Sequence, residues 1–179
     1  MGGREKHAAI HRVGLGTDLH RLVAGRRLVL GNVPVAHDRG PQAHSDGDVV
    51  IHAIIDALAG AAGLPDIGQM FPDTDPAWAG ADSGSLLTRT MAEVRARGYT
   101  IVNVDATVHA EAPRLGPYKL KIRQALADLL AVPVEAVSVK AKTNEGLDAV
   151  GRGEAIACTA IVSLRAEDAS DDRAEEKKG

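Results

Sequence analysis

Two short segments carry side chains that suit one shared metal ion, and this requirement most constrains how the chain can fold. Asp18 and His20 lie two residues apart, and in an extended strand such residues point to the same side. His52 lies within an alanine-rich apolar run that predicts a buried helix. Two imidazoles and one carboxylate suit Zn²⁺ and leave a fourth position open, as in catalytic sites. The sequence therefore predicts that a strand and a helix meet at a metal site.

Each of these residues also has an ordinary structural explanation. Taken alone, His20 is typical of a surface histidine and His52 of a hydrogen-bonded core histidine. An unpaired buried imidazole is costly, which favours the ligand role for His52. Asp56, four residues further along the same helix face, either orients His52 or simply solvates the helix. His44, at the end of a polar loop, either contacts a substrate or caps the helix that follows.

The composition excludes several classes of protein. Hydrophobic residues make up 45% of the 179-residue chain but aromatic residues only 2%, so small aliphatic side chains must form the core and oligomerisation is favoured. The net charge of −3 does not indicate a nucleic-acid partner. No apolar stretch reaches the length of a membrane span, and the N-terminus lacks a signal-peptide core. The single cysteine, Cys158, is predicted to be buried, and one lone thiol fits a reducing cytoplasm.

The succession of apolar patterns is β, hairpin, α, α, β, α, β, β. It predicts an α+β fold, namely a two-layer α/β sandwich with a single mixed sheet and helices on one face. A flexible extension at 1–9, a single domain at 10–166 and a disordered charged tail at 167–179 are expected. In the first part of the chain the predicted elements are a strand at 9–16 running into a turn, a hairpin at 27–35 bending at Gly31-Asn32, a loop at 36–45, a helix beginning at 46–48 and reaching 62, and a long loop at 63–82. A helix at 83–97, capped by Asp82 or Ser83, and a strand at 99–110, with Val102, Val104, Ala106 and Val108 inward, follow. The last predicted elements are a helix from Pro117 and strands at 134–143 and 154–164, of which the second is covered on both faces.

Three further segments carry residues that bind phosphate or metal, yet each also fits an ordinary loop. The loop at 63–82 is rich in aspartate, and its length in a compact domain favours a function. Residues 140–145 place lysines beside a hydroxyl and a carboxylate, which suits a phosphate with a second cation or a solvated strand end. Arg152, in a glycine-flanked turn, can hold an anion or form an interchain salt bridge.

These pieces, in this order, resemble the 2-C-methyl-D-erythritol 2,4-cyclodiphosphate synthase family of the non-mevalonate isoprenoid pathway. The resemblance runs from about residue 12 to residue 164. The combination of HSDGDxxxH with DIGxxFPDTD is its most specific part. The matching segments are RVGLGTDLHRL, AHSDGDVVIHAIIDALAGAAGLPDIGQMFPDTDPAWAGADS, GYTIVNVDATVHAEAP and VKAKTNEGLDAVGRGEAIAC.

The resemblance implies a lyase that converts 4-diphosphocytidyl-2-C-methyl-D-erythritol 2-phosphate to the 2,4-cyclodiphosphate and CMP. In that reaction the substrate's own 2-phosphate attacks its β-phosphate. The resemblance also implies a homotrimer with active sites at the subunit interfaces. The three sheets would face a central apolar cavity, which can hold an isoprenoid diphosphate.

The same resemblance implies roles for individual residues. Zn²⁺ would be held by Asp18, His20 and His52, and Mg²⁺ or Mn²⁺ by Glu145. His44 and Thr143 match transition-state stabilisers. The segment 71–75 would close over the substrate, and 110–116 would bind the cytosine from the neighbouring subunit. The residues implied to contact the substrate are Asp18, His20, His44, Ser45, Asp66, Ile67, Gly68, Phe71, Pro72, Asp73, Thr74, Asp75, Ala110, Ala112, Pro113, Arg114, Leu115, Gly116, Lys142, Thr143, Asn144, Glu145, Ala149 and Arg152.

The chain departs from the family pattern at a few positions. Leu15 replaces the histidine of a usual Gly-His-Gly, and Lys142 replaces a threonine. Asp148-Ala149 replaces a Gly-Phe pair, and in the base-binding segment 112–116 a lysine and bulkier apolar residues are usual. These changes bear on the affinity for the nucleotide and leave the zinc ligands intact.

Two other function classes fit parts of the sequence. A zinc phosphohydrolase would use water as the nucleophile and release a linear bisphosphate. A trimeric binding protein would hold an isoprenoid diphosphate in its central cavity, and Arg152 would bind the diphosphate anion. A pure binding protein has no need for all three metal ligands, so their joint presence favours an enzyme.

Overall fold

A computed structural model describes residues 10–78 and 80–166, so the predicted extension at 1–9 and tail at 167–179 lie outside the described residues. Within those ranges, no helix is long and apolar enough to cross a bilayer. The helices and strands, in chain order, are β1 (His11–Ala24), β2 (Leu28–Leu30), β3 (Val33–Val35), β4 (Arg39–Pro41), α1 (Val49–Ala62), α2 (Ile67–Met70), α3 (Ser83–Ala96), β5 (Tyr99–His109), α4 (Lys119–Leu130), β6 (Val137–Lys142), α5 (Asp148–Gly151) and β7 (Ala155–Ala166).

Five strands form one mixed sheet in the order β4-β1-β7-β5-β6. The β5 and β6 strands run parallel, and every other neighbouring pair is antiparallel. Strands β2 and β3 form a separate hairpin. Helix α1 packs on β1 and β7, α3 packs on α1, and α4 packs on β6. The predicted α/β fold with a mixed sheet is therefore confirmed.

The core lies between α1 and the sheet, and it is built from small aliphatic side chains. In β7, buried residues alternate with more exposed ones, as expected for a strand that has one covered face. The prediction that this strand is covered on both faces is wrong for the single chain, because within the described residues the side chains on its second face are only partly buried or exposed. That open face carries apolar side chains that are largely exposed, namely Val13 (68%), Leu15 (63%), Leu19 (61%) and Ile161 (45%).

Two predicted strands differ from the structure in ways that matter for the site. Strand β1 does not turn at Gly14-Leu15-Gly16 but continues to Ala24. Val102 points outward and is 39% exposed, because a β-bulge interrupts the pairing of β5 with β7 between Ile101 and Asn103. The structure differs from the prediction at three other places. Strand β4 lies within the predicted loop 36–45, and helix α2 lies within the predicted loop 63–82. A short 3₁₀ turn at Val134–Ala136 delays the start of β6.

The ends of the elements follow the sequence signals closely. Gly31 and Asn32 both have positive φ angles, of 56° and 63°, which a type I′ hairpin turn requires. Asp82 caps α3 by accepting a hydrogen bond from the Ser85 backbone N–H, which settles the choice between Asp82 and Ser83. Asp48 caps α1 in the same manner.

Cys158 is a free thiol that lies on the covered face of β7 and is 1% exposed. Burial raises the pKa of this thiol to about 12, so hardly any thiolate forms at pH 8. We expect no reaction of the native protein with a disulfide reagent such as DTNB over an hour. One thiol per chain should be released after denaturation in guanidinium. Rapid labelling of the native protein would contradict this placement of the side chain.

Candidate functional site

The three predicted metal ligands meet at one point between β1 and α1. The Asp18 Oδ2 atom lies 3.0 Å from His52 Nδ1 and 3.1 Å from His20 Nε2, and the two nitrogens are 3.4 Å apart. A tetrahedral zinc site with bonds of about 2.0 Å requires ligand atoms about 3.3 Å apart. The arrangement of these three atoms therefore fits Zn²⁺ with one position open. The prediction that the three residues come together is confirmed in the structure.

Two glycines bring α1 close enough to β1 for this cluster to form. A Cβ atom placed on Gly14 would lie 1.9 Å from the Ala57 carbonyl oxygen, and one on Gly16 would lie 2.0 Å from that of Ala53. Any side chain at either position would push the helix away from the strand. The glycines thus set the distance between the strand that carries Asp18 and the helix that carries His52.

The electrostatics of the cluster favour an ionised carboxylate. Burial opposes ionisation of Asp18, but hydrogen bonds and charge from His20 and His52 outweigh it and hold the pKa of this carboxyl well below its usual range. Burial likewise opposes protonation of His52, yet the nearby carboxylates, Asp18 first, raise the pKa of its imidazole. The Asp18 carboxylate therefore favours the protonated form of the His52 ring. A metal ion that binds here replaces a proton.

The other ring nitrogen of His52 contacts Ser83 and, through it, Asp46, which the sequence had indicated only as residues at helix starts. His52 Nε2 lies 2.9 Å from Ser83 Oγ, and the Ser83 hydroxyl donates to Asp46. Asp56, which was expected either to orient His52 or to solvate the helix, instead accepts a hydrogen bond of 2.8 Å from the Ile67 backbone N–H. No local pattern shows which residues contact His52, because Asp46 and Asp48 both look like helix-capping residues and Ser83 lies on another helix.

Asp48 secures the start of α1, four residues before His52. Its carboxylate accepts hydrogen bonds from the backbone N–H groups of Gly31 (2.9 Å), Asn32 (2.8 Å), Val50 (3.1 Å) and Ile51 (3.2 Å). Burial raises the pKa of this carboxyl to about 6 despite these donors. One side chain therefore fixes both the β2–β3 hairpin and the end of the helix next to the metal cluster.

A second group of predicted residues gathers around a cavity of about 760 Å³ near the ends of β5 and β6. Lys142 and Thr143 line it together with most of the segment 110–116, although Ala112 is not among the lining residues. Pro117, where the sequence predicts only a helix start, and Lys119, which it did not single out, also line the cavity. At the same end of β6, the Thr143 hydroxyl donates to Glu145 Oε1 at 3.0 Å. A hydroxyl, a carboxylate and lysines thus lie beside a cavity large enough for a nucleotide.

The metal cluster and this cavity lie at different places on the sheet of one chain. His20 on β1 pairs with Ile156 on β7. The next residue of β7, Ala157, pairs with His109 on β5. His109 in turn pairs with Lys142 on β6. The two groups are therefore level along the strands but three strands apart, which is about 14 Å.

Comparison with known proteins identifies the family. The YgbB family model matches residues 11–165. The chain belongs to the YgbB family. It is 54% identical over 153 residues to the 2-C-methyl-D-erythritol 2,4-cyclodiphosphate synthase of Bordetella petrii, which covers 86% of this chain and 94% of the relative.

Solved structures of similar proteins share the fold of this YgbB-family chain. The bifunctional IspDF of Campylobacter jejuni matches with a TM-score of 0.87 and 37% identity over 90% of this chain, which spans 44% of that larger chain. A complex of the Plasmodium falciparum IspF with CDP matches with a TM-score of 0.78 and 31% identity, covering 88% of this chain and 97% of that one. The resemblance inferred from the sequence motifs is thereby confirmed.

Several other predicted residues of this YgbB-family chain lie around α2 and the loop that follows it. Asp66 caps α2 by accepting from the Gln69 N–H at 2.9 Å. Phe71 packs edge to face on Trp78, with ring centroids 5.1 Å apart, and the Arg89 guanidinium lies 5.2 Å from the centre of the Trp78 ring. These contacts hold the end of the loop. The remaining predicted residues of this region are Ile67, Gly68, Pro72, Asp73, Thr74 and Asp75.

One departure from the family pattern at α5, the aspartate at position 148, has a local explanation. Asp148 has a φ angle of 57°, in the left-handed region where glycine is favoured and aspartate is tolerated. Its side chain accepts hydrogen bonds from the N–H groups of Val150 (2.8 Å) and Gly151 (3.2 Å) within the single turn of α5. Arg152 pairs with Glu154 of the same chain at 3.1 Å, so within this chain the turn already holds a salt bridge.

Proposed function

We infer that this chain is a 2-C-methyl-D-erythritol 2,4-cyclodiphosphate synthase. It is a phosphorus–oxygen lyase that converts 4-diphosphocytidyl-2-C-methyl-D-erythritol 2-phosphate to the cyclic diphosphate and CMP, in the non-mevalonate isoprenoid pathway. The cluster of Asp18, His20 and His52 is the observation that carries this conclusion. It lies in a chain that is 54% identical to a curated synthase over nearly the whole length of both.

The reaction requires the protein to position the substrate and to neutralise the charge on its phosphoryl oxygens. The attacking 2-phosphate already bears a negative oxygen, so the reaction needs no strong general base. The residues must instead fold the substrate so that this oxygen faces the β-phosphorus in line with the departing CMP. We propose that His44 and Thr143 stabilise the phosphoryl oxygens of the transition state and that Ser45 holds a phosphate.

We propose Zn²⁺ at Asp18, His20 and His52, since two nitrogens and one oxygen at these distances suit that ion. When bound, Zn²⁺ supplies a Lewis acid for a phosphate oxygen. For Mg²⁺ or Mn²⁺ we propose Glu145, since these hard cations prefer oxygen ligands and the Thr143 hydroxyl lies beside this carboxylate. Of the other proposed substrate contacts, Asp66, Ile67 and Gly68 line the ribose and methylerythritol pocket, and residues 71–75 close over the substrate. The segment 110–116 binds the cytosine. Further proposed contacts are Lys142, Asn144, Ala149 and Arg152.

A homotrimer with active sites at the subunit interfaces is the assembly that we propose. The open face of the sheet exposes Val13, Leu15, Leu19 and Ile161, an apolar surface that an isolated soluble domain rarely leaves uncovered. In addition, the metal cluster and the nucleotide cavity lie about 14 Å apart within one chain. A neighbouring copy can bring its cavity to the metal cluster of the first chain. Three such faces around one axis would enclose a cavity that can hold an isoprenoid diphosphate.

Two further features belong to this proposal. Residues 10–166 form a single synthase domain, since the matched family extends over residues 11–165. The cytoplasm is the proposed location, because the one cysteine of the chain is a buried free thiol.

The decisive experiment is incubation of the purified protein with 4-diphosphocytidyl-2-C-methyl-D-erythritol 2-phosphate, Zn²⁺ and Mg²⁺, followed by ³¹P NMR. We expect the signals of the cyclic diphosphate and CMP, and their loss when a chelator is added. Linear products would instead identify a phosphohydrolase. If the metals bind and no product forms, the synthase assignment is wrong, and the chain is either a binding protein or has a site disabled by the departures at Lys142 and Ala149.

Arg26 supports the loop that carries His44 and Ser45. Its guanidinium donates hydrogen bonds to the carbonyl oxygens of Pro41 (3.2 Å), Ala43 (3.0 Å) and Ser45 (3.4 Å). We expect Arg26→Ala to lower kcat about tenfold, because loosening the loop misplaces the phosphate-binding groups at a cost of about 1.4 kcal/mol. Arg27→Ala, which removes the neighbouring exposed arginine side chain, is the matched control for steady-state kinetics. Equal kcat in both variants would show that the loop needs no such support.

A further inference from the structure

His52 has a second polar contact on the side of its ring that faces away from the metal cluster. Its Nε2 atom lies 2.9 Å from Ser83 Oγ, and the Ser83 hydroxyl donates to Asp46. We propose that Ser83 and Asp46 are positioning residues, which fix the orientation and the protonated nitrogen of the His52 ring so that the other nitrogen can bind metal. This inference rests on the proposed metal site at Asp18, His20 and His52.

The direction of these hydrogen bonds follows from the donors and acceptors that are present. An ionised carboxylate can only accept, so the single hydroxyl hydrogen of Ser83 points to Asp46. The Ser83 oxygen is then left to accept, and among residues 10–78 and 80–166 the donor that faces it is the N–H of His52 Nε2. A neutral imidazole that carries its hydrogen on Nε2 has a free lone pair on Nδ1. That nitrogen is the one that lies 3.0 Å from Asp18 Oδ2, within the metal cluster.

Backbone N–H groups hold the hydrogen-bonded chain from Asp46 through Ser83 to His52, which we call the relay. The Asp46 carboxylate also accepts hydrogen bonds from the N–H groups of Ser83 (3.1 Å) and Asp48 (3.2 Å), so it bridges the starts of α1 and α3. Ser83 is fully buried at the first position of α3. Ser45 Oγ also faces His52 Nε2, but at 3.4 Å, and it already accepts from the Gly47 N–H at 3.1 Å. Ser83 is therefore the principal partner of this nitrogen.

Such partners matter because a metal-bound histidine must keep its ring at a fixed angle to the ion. A carboxylate that acts through a hydroxyl also makes the ring nitrogen more basic and hence a better ligand. Without Ser83, the buried Nε2–H would lack its partner, and the ring could rotate or move its hydrogen to Nδ1. After either change, the lone pair of His52 Nδ1 is no longer directed at the metal position.

The first test is Ser83→Ala in the full chain, with Zn²⁺ affinity measured by competition with a chromophoric chelator. We expect affinity about 10- to 100-fold weaker than that of the wild type. Ser85→Ala is the matched control, because Ser85 lies in the same first turn of α3 and its hydroxyl contacts Asp82. Its affinity for Zn²⁺ should equal that of the wild type. In ¹H–¹⁵N NMR of the zinc-loaded wild type, the Nε2–H of His52 should give a slowly exchanging signal that Ser83→Ala abolishes.

Asp46→Asn provides a second test that does not remove the buried hydroxyl. The amide has the shape of the carboxylate, yet it must turn a donor towards one of the groups that now donate to Asp46. We expect a loss of Zn²⁺ affinity of the same order as for Ser83→Ala, with the Nε2–H signal also lost. A merely space-filling role for Asp46 would leave both readouts unchanged.

The outcomes separate this inference from the proposed metal site. Wild-type affinity for Zn²⁺ in both Ser83→Ala and Asp46→Asn would overturn the relay and leave the metal site standing. A wild-type protein that binds no Zn²⁺ would overturn the metal site and the relay with it. If Ser83→Ala fails to fold by circular dichroism, Asp46→Asn decides the matter alone.

Discussion

Replacement of His52 by alanine should lower turnover of 4-diphosphocytidyl-2-C-methyl-D-erythritol 2-phosphate by about 1000-fold or more. The change leaves only Asp18 and His20, and two ligands hold Zn²⁺ poorly where three hold it well. Loss of the ion removes several kcal/mol of charge stabilisation in the transition state, and each 1.4 kcal/mol corresponds to a factor of ten. Steady-state kinetics should be measured beside the zinc content of the purified variant, since both should fall together.

The matched control for this variant is His11→Ala, which removes an exposed histidine at the start of the same strand that carries Asp18. It should keep wild-type turnover and zinc content. Circular dichroism and Tm of both variants separate loss of the metal from loss of the fold. A folded His52→Ala protein that retains turnover within tenfold of the wild type would show that the chemistry does not depend on this cluster. Binding of an isoprenoid diphosphate should be nearly unchanged in the variant, because the proposed cavity lies on the other face of the sheet.

The metal ligands could be predicted from the sequence because their geometry is local. Asp18 and His20 share a side of the strand by the two-residue period alone, and His52 was marked by its position in an apolar helix. The partners of His52 could not be predicted in this way. Ser83 reaches the ring from another helix, and nothing in its local sequence distinguishes it from any serine at a helix start. Contacts between elements that are distant in sequence depend on packing, which no local pattern encodes.

The same distinction explains the errors in the fold. The sequence predicts that the first strand ends at Gly16, because glycines are typical of turns. In the structure these glycines lie inside β1, where they make room for α1. The outward position of Val102 follows from a β-bulge, which breaks the alternation that the sequence showed. The continuous apolar run of β7 indicated two covered faces, and the second face is the one that we propose other copies of the chain cover.

Gly16→Ala should be among the most destabilising single substitutions in the chain, although it adds only one methyl group. The new Cβ atom would lie 2.0 Å from the Ala53 carbonyl oxygen, a contact with the helix backbone that no side-chain movement can relieve. Overpacking of a well-packed core costs about 1–3 kcal/mol, and a clash with backbone belongs at the upper end. A loss of about 3 kcal/mol corresponds to a decrease of about 10 °C in Tm for a domain of this size. Differential scanning calorimetry or thermal circular dichroism measures this directly.

A second effect of Gly16→Ala distinguishes this explanation from general destabilisation. If α1 moves away from β1, then His52 moves away from Asp18, and affinity for Zn²⁺ should fall even at temperatures where the variant is folded. Gly60→Ala is the control, because Gly60 lies on α1 itself and its new Cβ would meet the Gly14 Cα at an ordinary 3.9 Å. Since alanine is the better helix former, Gly60→Ala should raise stability by about 0.5–1 kcal/mol and leave Zn²⁺ binding unchanged. If an added methyl group lowers stability and Zn²⁺ affinity at Gly16 but not at Gly60, on the other side of the interface between β1 and α1, then the short distance between strand and helix maintains the metal site. Equal effects at the two positions would show that it does not.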